Sequence, residues 1–179
     1  DNQFKSGDKI KFKTENGSEI FAIKKQADMA KLIDSSNKEI AKFNREASGK
    51  IKIKNSAEQE LGYVVIEKGY WKLEKSEKDF YILRKEGDGD YKLENFRKKE
   101  IYRIKQLNEG WEIESQDKKL LYKVIVKEGK TSLINPSEKT IFSSKSDLSP
   151  LAFACFGFDV LTREQQAALA YAVNISGGQ

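Results

Sequence analysis

The chain has 179 residues, with one cysteine, two prolines and no histidine. Its 33 Lys and Arg stand against 28 Asp and Glu, a net charge of +5. These counts exclude Ser-His-Asp and Cys-His catalysis, His-ligated zinc, an intrachain disulfide and Pro-rich material, while the length suffices for a real core.

Nothing near the N-terminus resembles a signal peptide, and no apolar run reaches the roughly 18–20 residues that span a bilayer. The first residue is Asp1 rather than Met. A trimmed or processed form is therefore expected, with the compartment open between cytoplasm and export or lipid anchoring. Residues 1–146 carry 32 basic and 25 acidic groups; residues 147–179 carry Arg163 against Asp147, Asp159 and Glu164. The basic part suits a phosphate-bearing surface, and equally a solvated, lysine-rich sheet.

Most of the chain reads as short strands. Lys9-Ile10-Lys11-Phe12-Lys13 and Lys50-Ile51-Lys52-Ile53-Lys54 alternate strictly, placing apolar groups on one face and ammonium groups on the other. Turn signals recur at Asn16-Gly17, Ser48-Gly49, Gly87-Asp88-Gly89, Glu109-Gly110 and Glu128-Gly129. This spacing argues for an antiparallel barrel or sandwich.

Three segments align without gaps: KLIDSSNKEIAKF from Lys31, KLENFRKKEIYRI from Lys92 and SLINPSEKTIFSS from Ser132. They share Leu32, Leu93 and Leu133; Asp34, Asn95 and Asn135; Lys38, Lys99 and Lys139; and Ile40, Ile101 and Ile141. The same offsets align Ile10 with Trp71 and Trp111, which reads both tryptophans as core. The shared Leu and Ile are expected as buried anchors of two strands, with Asp or Asn opening the turn between them. Each unit is then a four-stranded meander, and the extra length near residues 47–68 is one inserted hairpin. Three blades are too few for a propeller, so the fold expected is mainly β: an antiparallel barrel of about 12–14 meandering strands enclosing a hydrophobic C-terminal helix. One domain is expected over residues 1–179, with the meander in 1–146.

The C-terminal segment changes character. Ser149-Pro150 opens a short helix over residues 150–157. Thr162 and Gln165 form a capping box for a second helix over residues 163–174, stopped by Ser176-Gly177-Gly178. The run Ala167–Val173 is apolar on every side, so this helix must be buried on every side.

Strand repeats from Lys9 to Ser144 followed by the block FGFDVLTREQQAALAYAVN at Phe156–Asn174 resemble the tubby C-terminal-like architecture. That group includes tubby proteins, phospholipid scramblases and the plant LURP-one-related proteins. Scramblase-like members carry an aromatic residue and Asp before the buried helix, comparable with Phe158-Asp159. The resemblance implies a barrel around the helix, and binding of anionic lipid or lipid movement. It assigns neither activity to particular residues.

Arg97, Lys98 and Lys99, with Arg103 and Lys105 on the next strand, form the densest basic cluster and are the candidate anion site; a solvated turn is the other reading. Cys155 lies among apolar residues without a cationic neighbour, as a core thiol. Glu86-Gly87-Asp88-Gly89-Asp90 resembles part of a calcium loop but lacks its full ligand pattern and helices, so a plain turn is favoured and no metal or cofactor is assigned. The expected function is a noncatalytic binding module for anionic phospholipid or a membrane surface. The alternatives are a protein-interaction or structural domain, or a hydrophobic-ligand carrier; nucleic acid is disfavoured as a partner.

Overall fold

The computed structural model describes residues 9–177; Gly178 of the stop signal lies outside that range, as do residues 1–8 and Gln179. Fourteen strands follow one another: β1 (Lys9–Lys13), β2 (Glu19–Gln26), β3 (Met29–Asp34), β4 (Glu39–Arg45), β5 (Ile51–Asn55), β6 (Glu60–Glu67), β7 (Tyr70–Ser76), β8 (Asp79–Lys85), β9 (Tyr91–Asn95), β10 (Glu100–Leu107), β11 (Gly110–Ser115), β12 (Leu120–Lys127), β13 (Lys130–Ile134) and β14 (Thr140–Ser144). Each pairs antiparallel with its sequence neighbours, and β1 meets β14 to close a barrel. Turns after odd-numbered strands therefore all lie at one mouth, here called lower, and turns after even-numbered strands at the upper mouth.

The alternating strands place Ile10, Phe12, Ile51 and Ile53 inward and their lysines outward. Leu32, Leu93 and Leu133 lie on β3, β9 and β13, buried in the core. Ile40, Ile101 and Ile141 are not buried as expected; each is half-buried at the rim. The cause is a register shift in each hairpin. Leu32 pairs with Ala41 while Ile33 pairs with Glu39, so Ile40 is the extra residue of a β-bulge. Ile101 and Ile141 occupy the same place in β10 and β14. Ile20, Leu61 and Leu121 are the extra residues of three further lower hairpins.

The turns themselves follow the expected chemistry. Asn95 Oδ1 accepts from the amides of Arg97 and Lys99 at 2.9 and 3.1 Å, and Asp34 and Asn135 do the same in their turns. The tight reversal forces a left-handed residue just before each strand restarts: Asn37, Lys98 and Glu138 have φ of 66°, 61° and 63°.

Two helical segments fill the barrel. The chain leaves β14 at the upper mouth and turns inward, and α1 (Pro150–Ala154) with a 3-10 turn (Cys155–Gly157) descends along β11–β13. It reverses at residues 158–162 near the lower mouth. Then α2 (Arg163–Ile175) climbs back along β3–β7. Ser149 Oγ accepts from the Ala152 amide, and Thr162 and Gln165 complete the capping box. Every residue from Leu151 to Phe158 and from Gln165 to Asn174 is buried. At the upper mouth Trp71 Nε1 donates to Ser176 Oγ at 2.9 Å, and the Ser149 amide donates to Asn174 Oδ1 at 2.8 Å, tying both helix ends together and to the wall. Trp71 is core, whereas Trp111 is only half-buried, packing edge-on against Tyr91. At Gly157 the hairpin touches the wall: a Cβ there would lie 2.6 Å from Ile113 Cδ1.

The closure between β1 and β14 is narrow. The two strands share one paired position, Lys13 with Ser143. Because the chain turns inward after Ser144, Lys9–Phe12 has, among the described residues, a strand neighbour only on the β2 side.

Two substitutions test this packing. Leu169→Asp buries an unpaired carboxylate costing several kcal/mol, against a total stability of about 5–15 kcal/mol, and is expected to unfold the barrel in a thermal melt. Tyr91→Phe is expected to leave stability equal or raised, because among the described residues the buried Tyr91 hydroxyl has no hydrogen-bond partner.

Candidate functional site

The turns give the two mouths opposite character. Those at the lower mouth carry eight cations against five carboxylates; those at the upper mouth carry seven carboxylates against two lysines. The three exposed large hydrophobic side chains among the described residues are Ile20, Phe96 and Val160, at 37%, 42% and 43% exposure. All three lie at the lower mouth: Ile20 just after the first turn, Phe96 in the β9–β10 turn, and Val160 in the loop joining the helices.

The predicted basic cluster divides. Arg97, Lys98 and Lys99 share the tip of the β9–β10 turn with Phe96 and have no carboxylate partner among the described residues. The Arg97 guanidinium lies 5.3 Å from the Phe96 ring centroid. Arg103 points elsewhere. It meets Asp88 at 2.8 Å, Asp90 at 3.3 Å, Glu86 at 3.5 Å and Glu100 at 4.0 Å, and Lys105 meets Glu114 at 3.6 Å. The turn resembling a calcium loop thus directs its carboxylates at Arg103, while Asp90 Oδ1 also accepts from the Gln106 amide.

Behind the lower mouth the inter-helix loop forms a plug. Phe158 stacks on Tyr102 with centroids 5.6 Å apart, and the Val160 amide donates to Tyr102 Oη. The Arg163 guanidinium lies 4.5 Å from the Phe21 centroid and 5.3 Å from that of Phe142. Tyr122 Oη donates to Asp159 Oδ2 at 2.8 Å. Burial and this bond push the Tyr122 hydroxyl up to about 12. Cys155 lies fully buried in the hairpin; burial pushes its thiol up and away from nucleophilic use.

A second basic region, not foreseen from the sequence, runs along the β1–β14 seam. A cleft of about 490 Å³ is lined by Lys9, Lys11, Lys13, Lys130 and Lys145, with Glu15 at its lower end. Lys9 bonds to Asn37 Oδ1 and meets Glu19, while the other four have no carboxylate partner among the described residues. Elsewhere the outward lysines are commonly paired, as Lys52 is between Glu46 and Glu60 at 3.0 and 3.1 Å. The only signal for the cleft was the alternation of Lys9–Lys13; Lys130 and Lys145 come from the far end of the sheet.

The raised Tyr122 value predicts an alkaline signature. A tyrosine that holds its proton longer when folded contributes stability that is complete below its unfolded value near 10 and lost as pH rises to about 12. The melting temperature is expected to fall across that window, and to fall less steeply in Tyr122→Phe. A comparison with protein-family models gives no match for the chain, and a comparison with curated proteins gives none either.

Proposed function

We propose that the protein is a noncatalytic module that docks on anionic membrane surfaces with its lower mouth facing the lipid. The polarity of the two mouths carries this reading. Phe96 is exposed at a turn tip between free cations, the arrangement that lets an aromatic ring enter the interfacial region while ammonium and guanidinium groups meet phosphates. The acidic upper mouth would be repelled by the same surface. Arg97, Lys98 and Lys99 remain in the site; Arg103 and Lys105, held by carboxylates, are left out of it.

The aligned segments are read here as three copies of a four-strand unit, β1–β4, β7–β10 and β11–β14, with β5–β6 as the inserted hairpin. The tubby C-terminal-like resemblance belongs to the same reading. The enclosed helix supports it, while fourteen strands and a second internal helix depart from it. A hydrophobic-ligand carrier is not favoured, because α1 and α2 occupy the interior where such a ligand would sit.

Flotation with phosphatidylserine-containing and pure phosphatidylcholine vesicles tests the proposal. Binding to the anionic vesicles at low salt, lost as salt rises, is the expected outcome. The variant Arg97→Gln, Lys98→Asn, Lys99→Gln keeps a left-handed-tolerant residue at position 98 and removes three charges. At roughly 1 kcal/mol per near-surface cation, it is expected to lose binding by about two decades. Equal flotation of variant and wild type, or flotation of neither, would overturn it and favour a protein-interaction or structural domain.

A further inference from the structure

We propose that the seam cleft receives an extended acidic segment of another protein, which adds to the barrel as a strand alongside β1. Three features of the seam converge on this occupant.

The first is an open edge. Among the described residues β1 pairs on one side only above Lys13, so its other edge offers the backbone donors and acceptors of Lys9 and Lys11, which alternate with those turned toward β2. An open edge of this kind is a template for strand addition. Four residues of strand span about 13 Å, which a cleft of about 490 Å³ running along the seam accommodates.

The second is charge. Lys9, Lys11 and Lys13 project outward at every second residue of β1, and Lys130 and Lys145 border the cleft from the other side. Directly opposed cross-strand side chains interact when their charges are opposite and repel when they are alike. The lysines therefore reject another copy of β1 and select a strand with carboxylates at alternate positions, so one set of residues both protects the edge and chooses its partner.

The third is the inward side. Ile10 and Phe12, the inward residues of β1, are buried. The residues between the carboxylates of an incoming strand would face them and are expected to be apolar. A lipid bilayer, by contrast, is a broad surface that meets the rims of a barrel rather than a groove in its side wall.

The test uses a fluorescein-labelled peptide of about seven residues alternating Glu and Val, long enough to cover the β1 edge. Anisotropy is expected to show binding, and hydrogen exchange at Lys9 and Lys11 is expected to slow when the peptide is present. N-methylation of all the peptide's amides, which removes its backbone donors whichever way it runs, is expected to weaken binding at least about tenfold, and replacing Glu by Lys to abolish it. The double variant Lys11→Gln, Lys145→Gln should lose affinity by a similar factor while its thermal melt stays unchanged. Equal binding of the N-methylated peptide, unchanged exchange at Lys9 and Lys11, or no binding overturns the proposal. Displacement of the peptide by an equal concentration of tripolyphosphate overturns it too, and reassigns the cleft to free phosphate. Vesicle flotation plays no part in these readouts, so the membrane proposal stands or falls separately.

Discussion

The structure depends on burying one almost uncharged helical hairpin. From Leu148 to Ile175 the chain carries three charged side chains, and two of them, Asp159 and Arg163, lie at the plug. Neither helix has a polar face broad enough for a surface position, so both must be enclosed. Barrels of about eight strands are filled by their own side chains, and a wider barrel leaves a lumen. Fourteen strands make room for two helical segments, and the alanines of α2 and the contact at Gly157 show how closely wall and filling fit. The strand number and the apolar C-terminal segment are therefore two aspects of one packing solution.

Curvature is the second requirement, and the lower mouth supplies it. The bulges at Ile20, Ile40, Leu61, Ile101, Leu121 and Ile141 all lie there, each adding a residue where the strand must bend and twist. The side effect is chemical. Extra aliphatic residues accumulate at one rim, and the turns beyond them hold cations on left-handed residues such as Lys98 and Lys118. The other mouth closes with two-residue turns or glycine-containing loops rich in carboxylates. A cationic end with exposed apolar side chains and an acidic end thus arise from the devices that shape the barrel.

What was legible in the sequence was local. Alternation in Lys9–Lys13 and Lys50–Lys54, the Asn and Asp turn openers, and the caps at Ser149 and Thr162 each act within a few residues, and the structure places them as read. Ile40, Ile101 and Ile141 were misjudged because a period-two pattern cannot reveal a one-residue shift in register. Arg103 looked free because it follows Lys98 and Lys99 in sequence. Three of its four partners lie on the β8–β9 turn, up to seventeen residues upstream at the other mouth, though the unexplained acidic turn was itself the signal. The seam was invisible for a stronger reason: it exists only once β1 meets β14.

The location of that seam follows from the enclosure. A chain that folds two helices back into its own barrel must pass from the wall to the interior somewhere, and here it does so directly after β14. Every residue spent on the inward turn at Lys145–Leu148 is one that cannot pair with β1. Placing the break beside the terminal strand leaves thirteen of the fourteen strand junctions with ladders of at least four paired positions. The exposed edge is then confined to one short strand, and lysines at alternate positions protect it against self-association. An opening that enclosure makes unavoidable, already screened by charge, is a place where a partner can gain specific binding without disturbing the core.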